Sequence, residues 1–320
     1  MPDHSLLFRY ADQIKQRYLR HKQNVSIQLT ELQQLWALRS GIAMPLASVQ
    51  PELAPFVPWQ PYRVLGVDGS PFDLSRHRGL AVKAFSLAAV LTDYHIGKET
   101  VIADIRDLSD QDDLSSLAYP SLELEYGVSI EQSADLLLLD GSLIRWQWYE
   151  WQEEKRLVAV KHYVDLLERC YQQQMPVIAV IDRSASRDIL QVLEVESQKK
   201  FASFTDIDLF GAVLAEGEFS PVFQTHSPIT KLDERYQIGY CYYRSGSGVL
   251  RIEYLLGQLL QPQVWSMLID QIEKGRGFPW SIARAHELCV IRERDRQLLE
   301  TFLVDDSGLS RKEWWKEVNR

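Results

Sequence analysis

The sequence predicts a mixed α/β fold with the core order β-β-β-α-β-α-β, a helical N-terminal arm, and extra strands and helices toward the C-terminus. Three observations carry this expectation. Short apolar, β-rich runs alternate with segments of helical periodicity between residues 62 and 181. Two near-copies of one pattern, VLGVDGS at 64–70 and LLLLDGS at 136–142, each end an apolar run in a turn. With 320 residues, 46% hydrophobic and 25% charged, and only 16 Gly and 13 Pro, the chain can bury a sizeable core, which excludes collagen-like and wholly disordered classes.

Residues 5–40 place Leu6, Leu7, Tyr10, Ile14, Leu19, Leu29, Leu32, Leu35 and Trp36 at helical spacings, with a break near Asn24-Val25-Ser26. Five prolines from Pro45 to Pro61 then disfavour helix and predict an extended connection. The expected domains are 1–61 for arm and connection, 62–304 for the main domain and 305–320 for a tail carrying Trp314 and Trp315. Within the main domain, 62–67, 80–92 and 100–105 read as strands joined by turns, 114–132 as a helix, 134–139 as a strand, 155–173 as a helix and 176–181 as a fifth strand. Three strands that pair antiparallel, followed by crossovers that make parallel ones, are the strand order of ribonuclease H-like folds. Downstream, 208–214, 237–243 and 249–254 are expected to be strands, the last two a hairpin across Ser245–Gly248, and 264–273 and 281–303 helices.

The formal net charge of −9 supplies no global positive field, so contact with a polyanion has to be local. Lys15, Arg17, Arg20 and Lys22 on the arm are one basic run, expected first of all to be a solvated helix face. Cys170, Cys241 and Cys289 are odd in number, far apart and in no CxxC pair, which argues against a disulfide framework and a zinc site. The N-terminus mixes charges into its apolar residues, and no apolar run approaches the roughly 18 residues of a membrane span. A cytoplasmic chain with no membrane partner is expected.

Each DGS copy puts a carboxylate where a buried strand meets a turn. In the predicted topology the first and fourth strands lie side by side, which would bring Asp68 and Asp140 together. Adjacent carboxylates repel unless a proton or cation sits between them, and hard oxygen ligands suit Mg²⁺ or Mn²⁺. A third oxygen ligand is expected from the intervening helix, where Glu123 and Glu125 are both candidates, while Glu131 lies too near the next strand. Toward the C-terminus, GRGFPWSIARAHELCVI enters a helix at Pro279; its small residues would let His286 approach the sheet, with Arg276 and Arg284 as positive partners for phosphate. Asp182-Arg183-Ser184, ending the fifth strand, sits where a further phosphate-contacting group would be useful, although Asp182 is expected first of all to cap the helix after it.

VDGS at 67–70, DGSL at 140–143, GEFSPVF at 217–223, RIEY at 251–254, GFPWSIARAHELCVI at 277–291 and the Asp295-Arg296 pair together resemble the NurA family of DNA repair nucleases, in a cyanobacterial-like form, over about residues 62–303. The resemblance implies a ribonuclease H-like, manganese-dependent endonuclease and 5′-to-3′ exonuclease acting on DNA ends in double-strand break repair. It further implies a homodimer that works with a hexameric HerA-type ATPase. Carried over by position, the family's aspartates fall on Asp68 and Asp140, its helix glutamate on Glu123 or Glu125, and its histidine on His286; Phe278 stands where the family has a tyrosine. The expected roles are Asp68, Asp140 and one of Glu123 or Glu125 as ligands of Mn²⁺ or Mg²⁺, His286 beside them, and Arg284, Arg276 and Phe278 along DNA phosphates. A dimeric adaptor that binds DNA ends or an ATPase ring with weak catalysis is the rival, and the Phe278 departure favours it.

Overall fold

The computed structural model describes residues 15–16, 19, 25–38, 61–74, 82–107, 115–130, 134–144, 148, 151–225, 236–258 and 261–297. Most of the N-terminal arm, the proline-rich connection, Glu131 and the tail with its two tryptophans lie outside them. The described residues of 1–50, 183–223 and 241–251 form one compact unit, and those of 51–182, 224–240 and 252–320 form a second.

Strands β1 (Arg63–Leu74), β2 (Val82–Asp93) and β3 (Lys98–Asp107) make an antiparallel meander. The β2–β3 turn closes through Gly97, whose φ of +64° is costly for a side chain, and through the Asp93 carboxylate, which accepts the His95 N–H at 2.8 Å. Strand β4 (Leu136–Asp140) pairs parallel with β1, and β5 (Val177–Asp182) pairs parallel with β4. With β6 (Phe223–Gln224), β7 (Ile238–Ser245) and β8 (Gly248–Leu255) the sheet has eight strands, both parallel and antiparallel, in the order β3-β2-β1-β4-β5-β8-β7-β6. The β7–β8 hairpin turns at Gly246-Ser247, inside the expected window.

In the second unit, residues of alternate parity feed opposite faces of the sheet. Leu65 and Val67 of β1, Leu87 and Ala89 of β2, and Leu137 and Leu139 of β4 pack into one core with helices α1 (Ser115–Ser129) and α2 (Glu153–Gln172). Gly127 lets α1 close on this face, since a Cβ there would stand 3.0 Å from Leu137 and 3.3 Å from Val67. The other face carries Gly66 and Asp68, and on it lies α6 (Trp280–Cys289), whose Ala285 and Cys289 cluster with Ala88 and Val90 of β2. A Cβ on Gly66 would sit 2.4 Å from the Ser281 carbonyl carbon, so the helix backbone rests directly on the strand. Gln271 of α5 (Pro262–Lys274) fixes the start of α6, its side-chain oxygen accepting the Ser281 N–H at 3.1 Å while its NH₂ reaches the hydroxyls of Tyr62 (3.2 Å) and Tyr94 (2.8 Å).

In the first unit, residues 25–38 are helical and bury Leu32 and Trp36, the latter edge-on to Phe210 at 5.1 Å. Helices α3 (Asp188–Ser197) and α4 (Asp206–Val213) are joined by a buried polar knot. The Asp206 carboxylate accepts the first-turn N–H groups of Ile189 and Leu190, the Ser186 hydroxyl and the Tyr242 hydroxyl. Arg251, 1% exposed, donates to Ser186, Tyr242 and Asp188 at 2.8 to 3.0 Å.

Four expectations are corrected. Asp68-Gly69-Ser70 does not turn the chain: β1 runs through it to Leu74, pairing Asp68 with Ala88, Gly69 with Leu87 and Ser70 with Ser86, because β2 offers an unbroken antiparallel partner and the bare Gly69 leaves room for the Phe85 ring, which a Cβ would meet at 2.3 Å. Residues 208–214 are not a strand: 208–213 lie in α4 and Leu214 is the extended residue after it, because Asp208 accepts both the N–H and the hydroxyl of Thr205 and so builds a helix N-terminus that the apolar run LFGAVL conceals. The helix expected over 281–303 stops at Cys289; Val290 is extended, and a new helical turn covers 293–297 after Asp295 takes the Arg292 N–H at 3.2 Å. Asp182 does not cap the helix after β5, since the flanking residue of α3 is Arg187. All three cysteines are free and buried, and among the described residues no helix is long and apolar enough to cross a membrane.

Candidate active site

The parallel register of β1 on β4 pairs Val67 with Leu139, so the next residues, Asp68 within β1 and Asp140 at the end of β4, stand at the same level and on the same face. Asp140 also pairs with Val180 of β5, and Asp182, two residues on, shares that face. Three carboxylates from three adjacent strands thus stand at one level of the sheet, where β4 and β5 end and β1 runs on to Leu74. Gly141, at φ +88°, turns the chain away immediately after Asp140, and its N–H is bound by the Val180 carbonyl at 3.3 Å.

The face that carries Asp68 is the one on which α6 lies, so the Gly66 contact sets how close His286 comes. Its Nδ1 is 2.7 Å from Asp68 Oδ2. Asp68 is 4% exposed, whereas the His286 side chain is 60% exposed and directs the rest of its ring outward. The Cys289 thiol donates to the same Asp68 oxygen at 3.2 Å. One ligand-capable atom each from Asp68, His286 and Cys289 lies within 4.8 Å of the others.

The electrostatics bear on what fits there. Burial first, and then the charge of Asp68 with a further push from Asp182, raises the Asp140 carboxyl to about 6, partly offset by the Gly141 N–H and by His286. Burial also pushes the Cys289 thiol up, and the charges of Asp68 and Glu123 push it further. It is therefore a neutral hydrogen-bond donor and not a thiolate ligand. Buried, mutually repelling carboxylates with an imidazole beside them are a hard oxygen and nitrogen donor set, which fits Mn²⁺ or Mg²⁺.

The two glutamates of α1 diverge. The charge of Glu123 acts on Cys289, at the Asp68 pair. Glu125 faces α2 instead, its carboxylate 3.4 Å from His162 Nε2. Arg284 is held away from the carboxylate pair, its guanidinium bonded to Glu287 and 3.6 Å from Glu99. Arg276 is exposed, with a left-handed backbone, in the tight turn between α5 and α6, and Phe278 is half-buried just after it. Cys289 joined the cluster without a motif to announce it, and Asp182, expected first of all as a helix cap, joined it as a third carboxylate. Their signals were a Cys three residues after the histidine and an Asp two residues beyond the level of Asp140 on the next parallel strand.

Acidic side chains gathered at one level of neighbouring parallel strands, with a histidine delivered from a C-terminal helix, define the class: a mixed α/β protein with a candidate cation-binding site. The NurA domain model matches residues 62–291, and the chain belongs to that family. The NurA nuclease from Sulfolobus solfataricus has a similar crystal structure, with a TM-score of 0.60 at 15% identity over 92% of this chain and 96% of that one. A crystal structure of NurA with manganese gives 0.48 at 12% identity, covering 90% and 98% of the two chains. NurA bound to dAMP and manganese gives 0.41 at 11% identity, covering 93% and 100%. Comparison with curated proteins finds no match.

Proposed function

We propose that the chain is a metal-dependent deoxyribonuclease that hydrolyses phosphodiester bonds, with Asp68, Asp140 and Glu123 as the ligands of Mn²⁺ or Mg²⁺. The convergence of Asp68 and Asp140 at one level of two neighbouring strands, with the charge of one raising the other, carries the reading. Glu123 is preferred to Glu125 because the latter is engaged toward His162. The bound cation supplies positive charge against phosphate oxygens and activates water. Asp68 holds His286 through Nδ1 and leaves Nε2 outward, where it orients a phosphate. The Cys289 thiol keeps the Asp68 carboxylate aimed. Arg276, exposed beside Phe278, meets a flanking phosphate, and Arg284 does so when drawn from its two glutamates.

The order β3-β2-β1-β4-β5, with an antiparallel meander followed by parallel strands, supports a ribonuclease H-like reading of this half of the sheet. Family membership and the motif resemblance support the finer assignment: endonuclease and 5′-to-3′ exonuclease activity in DNA end processing and double-strand break repair, as a cytoplasmic homodimer with a HerA-type ATPase.

The test is incubation of the purified chain with a labelled single-stranded oligonucleotide and Mn²⁺, Mg²⁺ or EDTA. Cleavage should require the metal and should vanish in Asp140→Ala. An Asp140→Ala protein that cuts at the wild-type rate overturns the proposal, and so does a wild-type protein that binds DNA without cutting it in either metal.

A further inference from the structure

The RIEY motif at 251–254 has no part in the site described above, yet its glutamate is the most enclosed acid among the described residues of the second unit. Glu253, on β8, is 1% exposed. One of its oxygens, Oε2, receives the Ser142 hydroxyl at 2.7 Å, the Leu143 N–H at 2.9 Å and the Ile144 N–H at 3.3 Å. These three donors are the segment that follows Asp140-Gly141. The Ser142 hydroxyl also accepts the Ile144 N–H at 2.9 Å, which closes a compact turn around the glutamate oxygen. Leu143 and Ile144 are themselves buried, so their N–H groups have no water to turn to.

A sheet strand needs no carboxylate at such a place. Removing a charge from water is costly, and an apolar side chain of equal size would pack a core as well or better. What the carboxylate does and an apolar group cannot is fix backbone N–H groups and a hydroxyl at one point. That point lies two residues beyond Asp140, across the left-handed Gly141, which by itself leaves the turn free to open. The strand holds Asp140 from one side through the β1 and β5 pairings. Glu253 holds the chain from the other.

We infer that Glu253 is a positioning residue of the proposed metal site: it clamps the Ser142–Ile144 turn and thereby fixes the carboxylate of Asp140. The inference rests on the nuclease reading above. It explains why a D-G-S at the end of one strand and an acid in a distant RIEY segment occur in the same chain: one presents the ligand and the other anchors the turn that presents it.

The test uses the full chain with three substitutions, Glu253→Gln, Glu253→Ala and, as a comparison, Gln258→Ala. Gln258 also bridges backbone groups of the second unit, accepting the Val177 N–H and donating to the Met175 carbonyl, but at the opposite end of β5 from the carboxylates. Free Mn²⁺ is counted by electron paramagnetic resonance during titration, cleavage rate is followed against Mn²⁺ and against oligonucleotide, and amide exchange is read over 142–144. Outer-shell partners of metal ligands typically change affinity or activity about 10- to 100-fold, so Glu253→Gln should weaken Mn²⁺ binding about tenfold. The KM for DNA should stay within about twofold, exchange at 142–144 should accelerate, and Glu253→Ala should be more severe. Gln258→Ala should lower the melting temperature and leave the Mn²⁺ titration unchanged. Wild-type Mn²⁺ affinity and rate in Glu253→Gln, with Asp140→Ala inactive, overturn the inference and leave the nuclease reading standing. Equal losses of Mn²⁺ affinity in Glu253→Gln and Gln258→Ala overturn it too, since they show general softening. Wild-type protein that neither binds Mn²⁺ nor cuts DNA removes the nuclease reading and this inference with it.

Discussion

At the residue scale, Asp140 is the group whose surroundings make the firmest demand. Its folded value is raised to about 6 from 3.8, so the protonated form suits the metal-free fold. The contribution is fully present at low pH and is lost as pH rises from about 4 through 6, worth about 1 to 3 kcal/mol for a partly exposed carboxyl. In EDTA, urea unfolding of wild type and Asp140→Asn should therefore coincide most closely near pH 4 and separate by that amount near pH 7.5, the variant being the more stable. A gap that stays flat across this range would show that neither burial nor Asp68 acts on Asp140. The two aspartates were legible in the sequence because the LxxDGS pattern occurs twice and strand order makes the two copies neighbours, although only the second copy ends its strand and the first runs on through β1. The choice between Glu123 and Glu125 was not, since both lie on one helix and its rotation is set by Leu122, Leu124 and Tyr126 packing into the core. Glu253 was illegible for a different reason: its donors lie about 110 residues earlier, and no local pattern encodes a contact across that separation.

At the scale of elements, the placement of His286 depends on two devices remote from the chemistry. Gly66 lets α6 lie on β1, and because the obstructing atoms are the Ser281 carbonyl and the Ile282 nitrogen, no side-chain rotation can make room for a methyl group. Gly66→Ala should cost about 3 kcal/mol or more in unfolding free energy, at the upper end for an added methyl in a packed core. It should also lower cleavage at temperatures where the variant is still folded, because His286 moves with its helix. A variant with unaltered melting and cleavage would mean that α6 does not rest on the strand. In the first unit, Asp206→Ala strands two helix N–H groups and two hydroxyls, and thermal or urea melting should register about 2 to 4 kcal/mol of lost stability. The elements that sequence periodicity placed well are those with one buried stripe, such as α2 with Val160, Tyr163, Leu167 and Cys170 inward. It failed for α4, where DLFGAVL reads as an apolar strand and the deciding signal is the Thr205–Asp208 pair just before it. It also ran α6 past its end, because Val290 and Ile291 continue the apolar pattern although the backbone has left the helix.

At the scale of the whole molecule, the formal charge of −9 opposes the approach of DNA, and the proposed site adds carboxylates where the phosphate has to come. Long-range steering cannot supply affinity, so the proposed DNA binding would rest on the divalent cation and a few local cations such as Arg276 and Arg284. Each phosphate contact contributes about 0.7 to the negative slope of log affinity against log salt for a single strand, so two or three contacts predict a slope of about −2. Fluorescence anisotropy of a hydrolysis-resistant phosphorothioate oligonucleotide with the wild-type protein, with Mn²⁺ held fixed and sodium chloride varied, measures it. A slope near −2 agrees with a site that recruits DNA locally and cuts it. A slope of −5 or steeper demands an extended basic surface, the property of a binding module, and would favour the adaptor reading over catalysis. Adding EDTA separates the contributions further. If the cation is the main attractor, affinity falls at least tenfold on its removal while the remaining slope stays shallow, because the acidic cluster then faces the phosphate uncompensated.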